Sequence, residues 1–171
     1  KEKEQPKKPQ ATLSLAVKYR PRVLADVVGQ DSQVSIIKGM HKSGEYPGAI
    51  LITGPTGTGK TTLARILATY MNSDTKKVTE SMAYKLGDKH PDVITINAGT
   101  RGKVEDIRTL IKGSRSAPMS SYRLVIIDEA HKLTGASAEA LLVPLEEPPA
   151  HTIWILCTTD PEKLLPTISN R

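Results

Sequence analysis

The sequence predicts an α/β fold: a parallel sheet with helices on both faces. Three observations carry this. Short runs rich in Ile, Val and Leu alternate with segments whose apolar residues fall at helical spacing. A turn with three glycines separates one such run from one such helix in "LITGPTGTGKTTLARIL", residues 51–67. Phe is absent from the 171 residues, so Ile, Leu, Val and Ala must fill the core, which favours an open sheet over an aromatic-rich sandwich.

In order along the chain, "KEKEQPKKPQ" has nothing to bury, and residues 1–12 read as a disordered tail before a domain over 13–171. "LAVKYRPRVLADVVGQ" reads as an extended stretch broken by Pro21. A helix then starts near Asp31 or Ser32 and stops around Gly44. "GAILIT" is a strand, and "TTLARILATYM" is a helix by its apolar spacing. The polar segment 72–91 has room for one short helix. Beyond it come a strand at Val93, a helix at Val104, a strand at Tyr122, a helix at Ala136 and a strand at Thr152. Short crossovers between parallel strands leave the strand ends that carry chemistry on one edge. There is no internal repeat.

The glycines let the backbone from Gly54 to Gly59 curl until its N–H groups converge, and the helix starting near Lys60 adds the positive end of its dipole. That concavity fits a polyphosphate. Gly54, Gly59, Lys60 and Thr61 match G-x-x-x-x-G-K-[ST], in which the lysine reaches the β and γ phosphates and the Thr61 hydroxyl ligates magnesium. The expected nucleotide contacts are thus Gly54, Pro55, Thr56, Gly57, Thr58, Gly59, Lys60, Thr61 and Thr62.

"LVIIDEAH" places Asp128 and Glu129 at the end of an apolar strand. Both carboxylates would be costly in a core, so the pair belongs at the sheet's carboxyl edge beside the phosphate loop. There Asp128 holds magnesium through water together with Thr61, and Glu129 polarises the water that attacks the γ phosphate. His131 reads as structural. His41, His90 and His151 lack ligand-like spacing and read as surface residues. The single Cys157, inside "IWILC", reads as a small buried hydrophobe; it excludes a disulfide within the chain and a cysteine-only zinc site.

The formal charge is +6, and the first ten residues hold four Lys against two Glu, so the rest is only mildly basic. No apolar run approaches about 18 residues, and the N-terminus lacks a signal-peptide pattern, which predicts an intracellular protein with no membrane partner.

Several stretches narrow the reading further. "VKYRPRVLADVVGQ", "GPTGTGKTTLARILA", "INAGTRGKVEDIRTLI", "VIIDEAHKLTGASAEALLVPLEEPP" and "CTTDPEKLLPTISNR" resemble, in the same order, the AAA+ module of DNA polymerase clamp-loader ATPase subunits. "LEEPP" followed by "TTDPEKL" is more similar to the bacterial tau/gamma subunit than to the small subunits of replication factor C. The resemblance implies a cytoplasmic, magnesium-dependent ATPase of DNA replication, acting with other clamp-loader subunits, a sliding clamp and primer-template DNA. It implies that Tyr19, Arg20, Val28 and Gly29 lie around adenine and ribose, and that Thr159 occupies the sensor 1 position. It implies that Arg171 reaches a neighbouring subunit's ATP site as an arginine finger. Arg101 and Lys103, at the start of a helix, would follow the DNA backbone.

The chain departs from the family's pattern in three places. "SDTKKVTESMAYKLGDKH" stands where the bacterial subunits carry four zinc-binding cysteines, so zinc is not expected. Val143 and Pro144 stand where a lysine is frequent, which weakens one DNA contact and puts a helix-kinking residue in its place. The sequence stops before the family's fifth core strand, lid domain and collar, as a fragment would, and its divergence points to a phage or an unusual bacterium. Two alternatives stand beside the clamp loader. A Holliday-junction branch-migration helicase shares "YRP" and "VGQ" but not "LEEPP" with "TTDPEKL". A non-hydrolysing scaffold subunit would have no need of Lys60, Thr61, Asp128 and Glu129 together.

Overall fold

A computed structural model describes residues 15–73, 90–164 and 168. Four strands, β1 (Ala49–Thr53), β2 (Val93–Asn97), β3 (Arg123–Asp128) and β4 (Thr152–Thr158), form a parallel sheet in the order β1-β4-β3-β2. Among the described residues the helices that accompany them are α1 (Leu15–Lys18), α2 (Asp31–Ser43), α3 (Lys60–Met71), α4 (Ala98–Arg101), α5 (Val104–Ser114) and α6 (Gly135–Glu146). Single 3-10 turns occupy Leu24–Asp26, Ala130–Lys132 and Pro161–Lys163.

The central strands are apolar throughout because both faces are covered. Alternate residues of β3 and β4 divide between two cores. Leu124, Ile126, Ile153, Ile155 and Cys157 pack with α2 and α3, whereas Val125, Ile127, Trp154 and Leu156 pack with α5 and α6. At least Val125, Ile126, Trp154 and Ile155 have no exposed surface, so the Phe-free core is nonetheless closed.

Helix boundaries follow local chemistry. Gly44, in the left-handed region at φ 73°, ends α2. The Thr134 side chain caps α6 by accepting from Ser137 N. Asn97 caps α4 by accepting from Gly99 N at 2.8 Å. Pro144 is buried inside α6, and the helix runs through it to Glu146.

At the amino ends of the strands, Asp92 is buried without exposed surface. It accepts hydrogen bonds from Met119 N at 2.8 Å and from Ser120 N and Oγ, each at 2.7 Å, and pairs with Arg123 at 3.2 Å. Arg123 also donates to the carbonyls of Ser116 and Ala117. One carboxylate therefore organises the loop leading into β3. Burial pushes the Asp92 carboxyl up, but the bonds from Ser120 and Met119 and the Arg123 charge outweigh it and hold the group below the ordinary value.

Three expectations are corrected. The stretch before α2 is not uniformly extended: Leu15–Lys18 is helical and Leu24–Asp26 makes a 3-10 turn, since Pro21 blocks helix only around itself. Arg101 does not open the helix at Val104; it closes the separate turn α4, and only Lys103 is an N-cap of α5. His41, His90 and His151 are half-buried rather than on the surface. Nδ1 of His41 lies 3.3 Å from the Tyr46 hydroxyl, and Nδ1 of His90 accepts from Asp92 N. The expected tail, most of the segment 72–91, and Arg171 lie outside the described residues.

Candidate functional site

The loop between β1 and α3 opens at the carboxyl edge of the sheet. Gly59 holds φ 86°, a left-handed value that a side chain would strain, and it is the N-cap of α3. No side chain caps this helix, unlike α6. Its first N–H groups are consequently available to an anion, which the helix dipole also favours.

Lys60 folds back over the loop, where its Nζ donates to the carbonyls of Gly54 at 2.8 Å and Pro55 at 2.7 Å. The ammonium is thus held at the loop by two acceptors that a bound phosphate can replace. The Thr58 hydroxyl donates to the Pro55 carbonyl at 2.8 Å and tightens the turn.

Opposite the loop, the Thr61 hydroxyl donates to Asp128 Oδ2 at 2.8 Å. Two hard oxygens from distant parts of the chain meet there, a donor set that suits magnesium with water completing its shell. Glu129 follows in the left-handed region at φ 53°, uncommon for a side chain of this size and the place where the chain turns from β3 into the 3-10 turn. Its Oε2 accepts from Lys132 Nζ at 2.7 Å. That bond, foremost, and the Lys132 charge hold the Glu129 carboxyl below its ordinary range, with a smaller contribution from Asn97. α4 packs closely here, since a Cβ on Gly99 would come within 2.9 Å of Glu129 Oε2 and 3.0 Å of Lys132 Cδ.

These parts line one open cavity of about 540 Å³. Its walls include Thr56 to Thr62 of the loop and helix start, Asp128, Glu129, His131, Thr158 and Thr159, and at one end Tyr19, Arg20, Val27 and Val28. Gly54, Pro55 and Gly29 are not among the residues that line it; the first two are the carbonyl partners of Lys60. Tyr19 and Val28 stand 72% and 92% exposed, apolar surface that an aromatic base can cover. Cys157 also borders the cavity, but burial, then the Asp128 charge, pushes its thiol up to about 12, which excludes a thiolate nucleophile.

Arg101 and Lys103 are exposed and do not line this cavity. The sequence reading of His131 as structural gains a partner, since its Nδ1 lies 3.2 Å from Thr158 Oγ1, whereas Lys132 was missed, the first partner being legible only in the fold. A lysine three residues after a strand-end glutamate was the available signal for the second.

A family model described as DNA polymerase III, delta subunit, matches residues 29–171. DNA polymerase III subunit gamma/tau of Mycobacterium tuberculosis is 41% identical over 169 residues, covering 93% of this chain and 29% of that protein. DNA polymerase III subunit tau of Escherichia coli is 39% identical over 164 residues, covering 92% of this chain and 26% of that protein. The chain thus spans less than a third of the length of these two relatives. A crystal structure of a DNA polymerase III gamma subunit-related protein from Thermotoga maritima matches with TM-score 0.64 and 27% identity, covering 81% of this chain and 43% of that one. The Holliday junction branch migration motor of the same organism gives TM-score 0.64 at 21% identity over 90% of this chain and 46% of that one, a likeness of fold alone.

Proposed function

Because the chain belongs to the DNA polymerase III subunit family and is gamma/tau-like within it, we propose that its cavity binds and hydrolyses ATP in a sliding-clamp loader. The observation that carries this reading is the Thr61–Asp128 hydrogen bond beside an uncapped α3. It joins a phosphate-binding loop to a carboxylate, with a second carboxylate one residue on.

Each residue then has a task. The first turn of α3 and the loop N–H groups receive the phosphates, and Lys60 exchanges its two carbonyl partners for phosphate oxygens. Thr61 and Asp128 hold magnesium, which when bound neutralises charge on the phosphates. Glu129 accepts hydrogen-bonded water and orients it toward the γ phosphate, while the Thr159 hydroxyl contacts the same end of the nucleotide. Tyr19, Arg20, Val28 and Gly29 embrace adenine and ribose. Arg171 serves the neighbouring subunit's site, so hydrolysis requires assembly.

In the same reading the protein works in the cytoplasm with other loader subunits, a ring-shaped clamp and primer-template DNA. Arg101 and Lys103 supply charge along the DNA backbone, and no zinc is used. The test is the ATPase rate of the full-length protein alone and with its partner subunits, clamp and primed DNA. Stimulation by all three is expected; nucleotide binding without turnover in the complete mixture would favour the scaffold subunit instead.

A further inference from the structure

His131 ends the "DEAH" stretch without a part in phosphate or metal binding. It lies in the 3-10 turn after Glu129 and is half-buried, and it borders the cavity together with Thr158 and Thr159. Its Nδ1 is 3.2 Å from Oγ1 of Thr158, the last residue of β4. Thr158 has no exposed surface. The same Oγ1 accepts the backbone N–H of Asp160 at 3.1 Å, closing a tight turn whose middle residue is Thr159.

The proton positions follow from satisfying that buried hydroxyl. One of its two lone pairs serves Asp160, and the Nδ1 of His131 is within reach as acceptor for its proton. In that arrangement the ring carries its own proton on Nε2.

This bond stands where the ladder between β3 and β4 has ended. The ladder between β3 and β4 runs from Arg123↔Thr152 to Ile127↔Leu156 and ends short of Asp128 and Thr158. Beyond it Asp128 pairs only with Asn97 of β2 and Thr158 only with Thr53 of β1, so the tips leading to Glu129 and to Thr159 belong to different ladders. His131 to Thr158 links the two.

Resting on the reading of the cavity as an ATP site, we infer that His131 is a positioning residue. By accepting the Thr158 hydroxyl proton it fixes the turn that presents Thr159, and ties that turn to the backbone carrying Glu129. The reacting water and the γ phosphate then meet two groups held in one fixed relation, as orientation effects require.

The experiment uses the full-length protein in its assembly, with single-turnover ATP hydrolysis, equilibrium binding of a fluorescent ATP analogue, and nitrogen-15 spectra of the histidine ring. His131→Ala and Thr158→Val are each expected to slow hydrolysis about tenfold, the rate equivalent of one net hydrogen bond, with analogue Kd changed less than about twofold. The double variant should be no slower than either single one. His131→Asn, whose side-chain carbonyl can accept near the place of Nδ1, should recover the rate; His131→Gln should not. The wild-type spectrum should show Nδ1 without a proton. Additive losses, failure of His131→Asn to recover, or a protonated Nδ1 would overturn the inference. A wild type that binds no ATP analogue would instead refute the ATP reading itself.

Discussion

The Thr61 hydroxyl and Asp128 Oδ2 stand 2.8 Å apart although 67 residues separate them in the chain. Thr61 lies in the first turn of α3, which follows β1, and Asp128 ends β3; in the sheet β4 lies between those two strands. If this pair holds magnesium, Thr61→Ala removes one oxygen and Asp128→Asn removes the charge that favours the cation. Calorimetry should show ATP bound equally by wild type and both variants in chelator, with tightening by magnesium only in the wild type. An equal gain from magnesium in all three would place the cation elsewhere.

Lys60 and Glu129 face the nucleotide differently, and their variants should separate binding from turnover. Lys60 contributes a ground-state charge, so Lys60→Ala should abolish measurable ATP affinity. Glu129 acts on water, so Glu129→Gln should keep binding and lose hydrolysis by a factor of roughly 10² or more. Equal loss of binding in the two variants would contradict this division.

The phosphate loop was readable because its residues are neighbours in the chain, and the spacing from Gly54 to Thr61 is itself the geometry. Asp128 and Glu129 were readable because two charges at the end of "LVII" can only emerge at a sheet edge. What escaped notice depends on contacts between distant residues. Asp92 looks like part of an "HPD" turn until Met119 and Ser120 fold over it, 27 and 28 residues on. His131 gains a partner only when β4 returns beside β3, 27 residues later. α4 spans four residues, too few for a period to show, and its existence rests on the Asn97 cap.

Asp92 should make the fold acid-sensitive. Its folded carboxyl lies below the ordinary value of 3.8, so its stabilising contribution is complete above that value and is lost as pH falls through the lowered folded one. Asp92→Asn cannot accept all these bonds or balance Arg123, and should cost about 3 kcal/mol near neutral pH. Urea unfolding of wild type and variant from pH 7 down to pH 2 checks this. The two curves should converge at the acid end; a constant gap would show that charge is not the cause.

Arg101 and Lys103 project from adjoining short elements and are both exposed. As phosphate contacts they should act without regard to base sequence. Replacing both by Ala should weaken DNA binding by the assembled complex to a similar degree for every sequence, and reduce the salt slope by about 2. An unchanged slope would put them off the DNA path.

Lys132 should set the acid limb of the hydrolysis profile. Its Nζ donates to Glu129 Oε2 at 2.7 Å, and this bond is the leading reason that the Glu129 carboxyl sits low. A lowered value keeps the carboxylate ionised, and competent to accept a proton, further into acid. Lys132→Met removes the bond and the charge, so the carboxylate should protonate at higher pH, and the acid limb of kcat should move up the pH scale. Lys132→Arg preserves the charge and should leave the limb nearly in place. Because the pair is substantially exposed, with side-chain accessibilities of 49% and 40%, raised salt should move the wild-type limb in the same direction as Lys132→Met and hardly move the variant's. The same variant frees Glu129 from a competing partner, so the rate near neutral pH should be maintained or raised. A limb that stays put in Lys132→Met, measured as kcat from about pH 3 to 8, would mean that Glu129 leaves Lys132 before the reacting water is engaged.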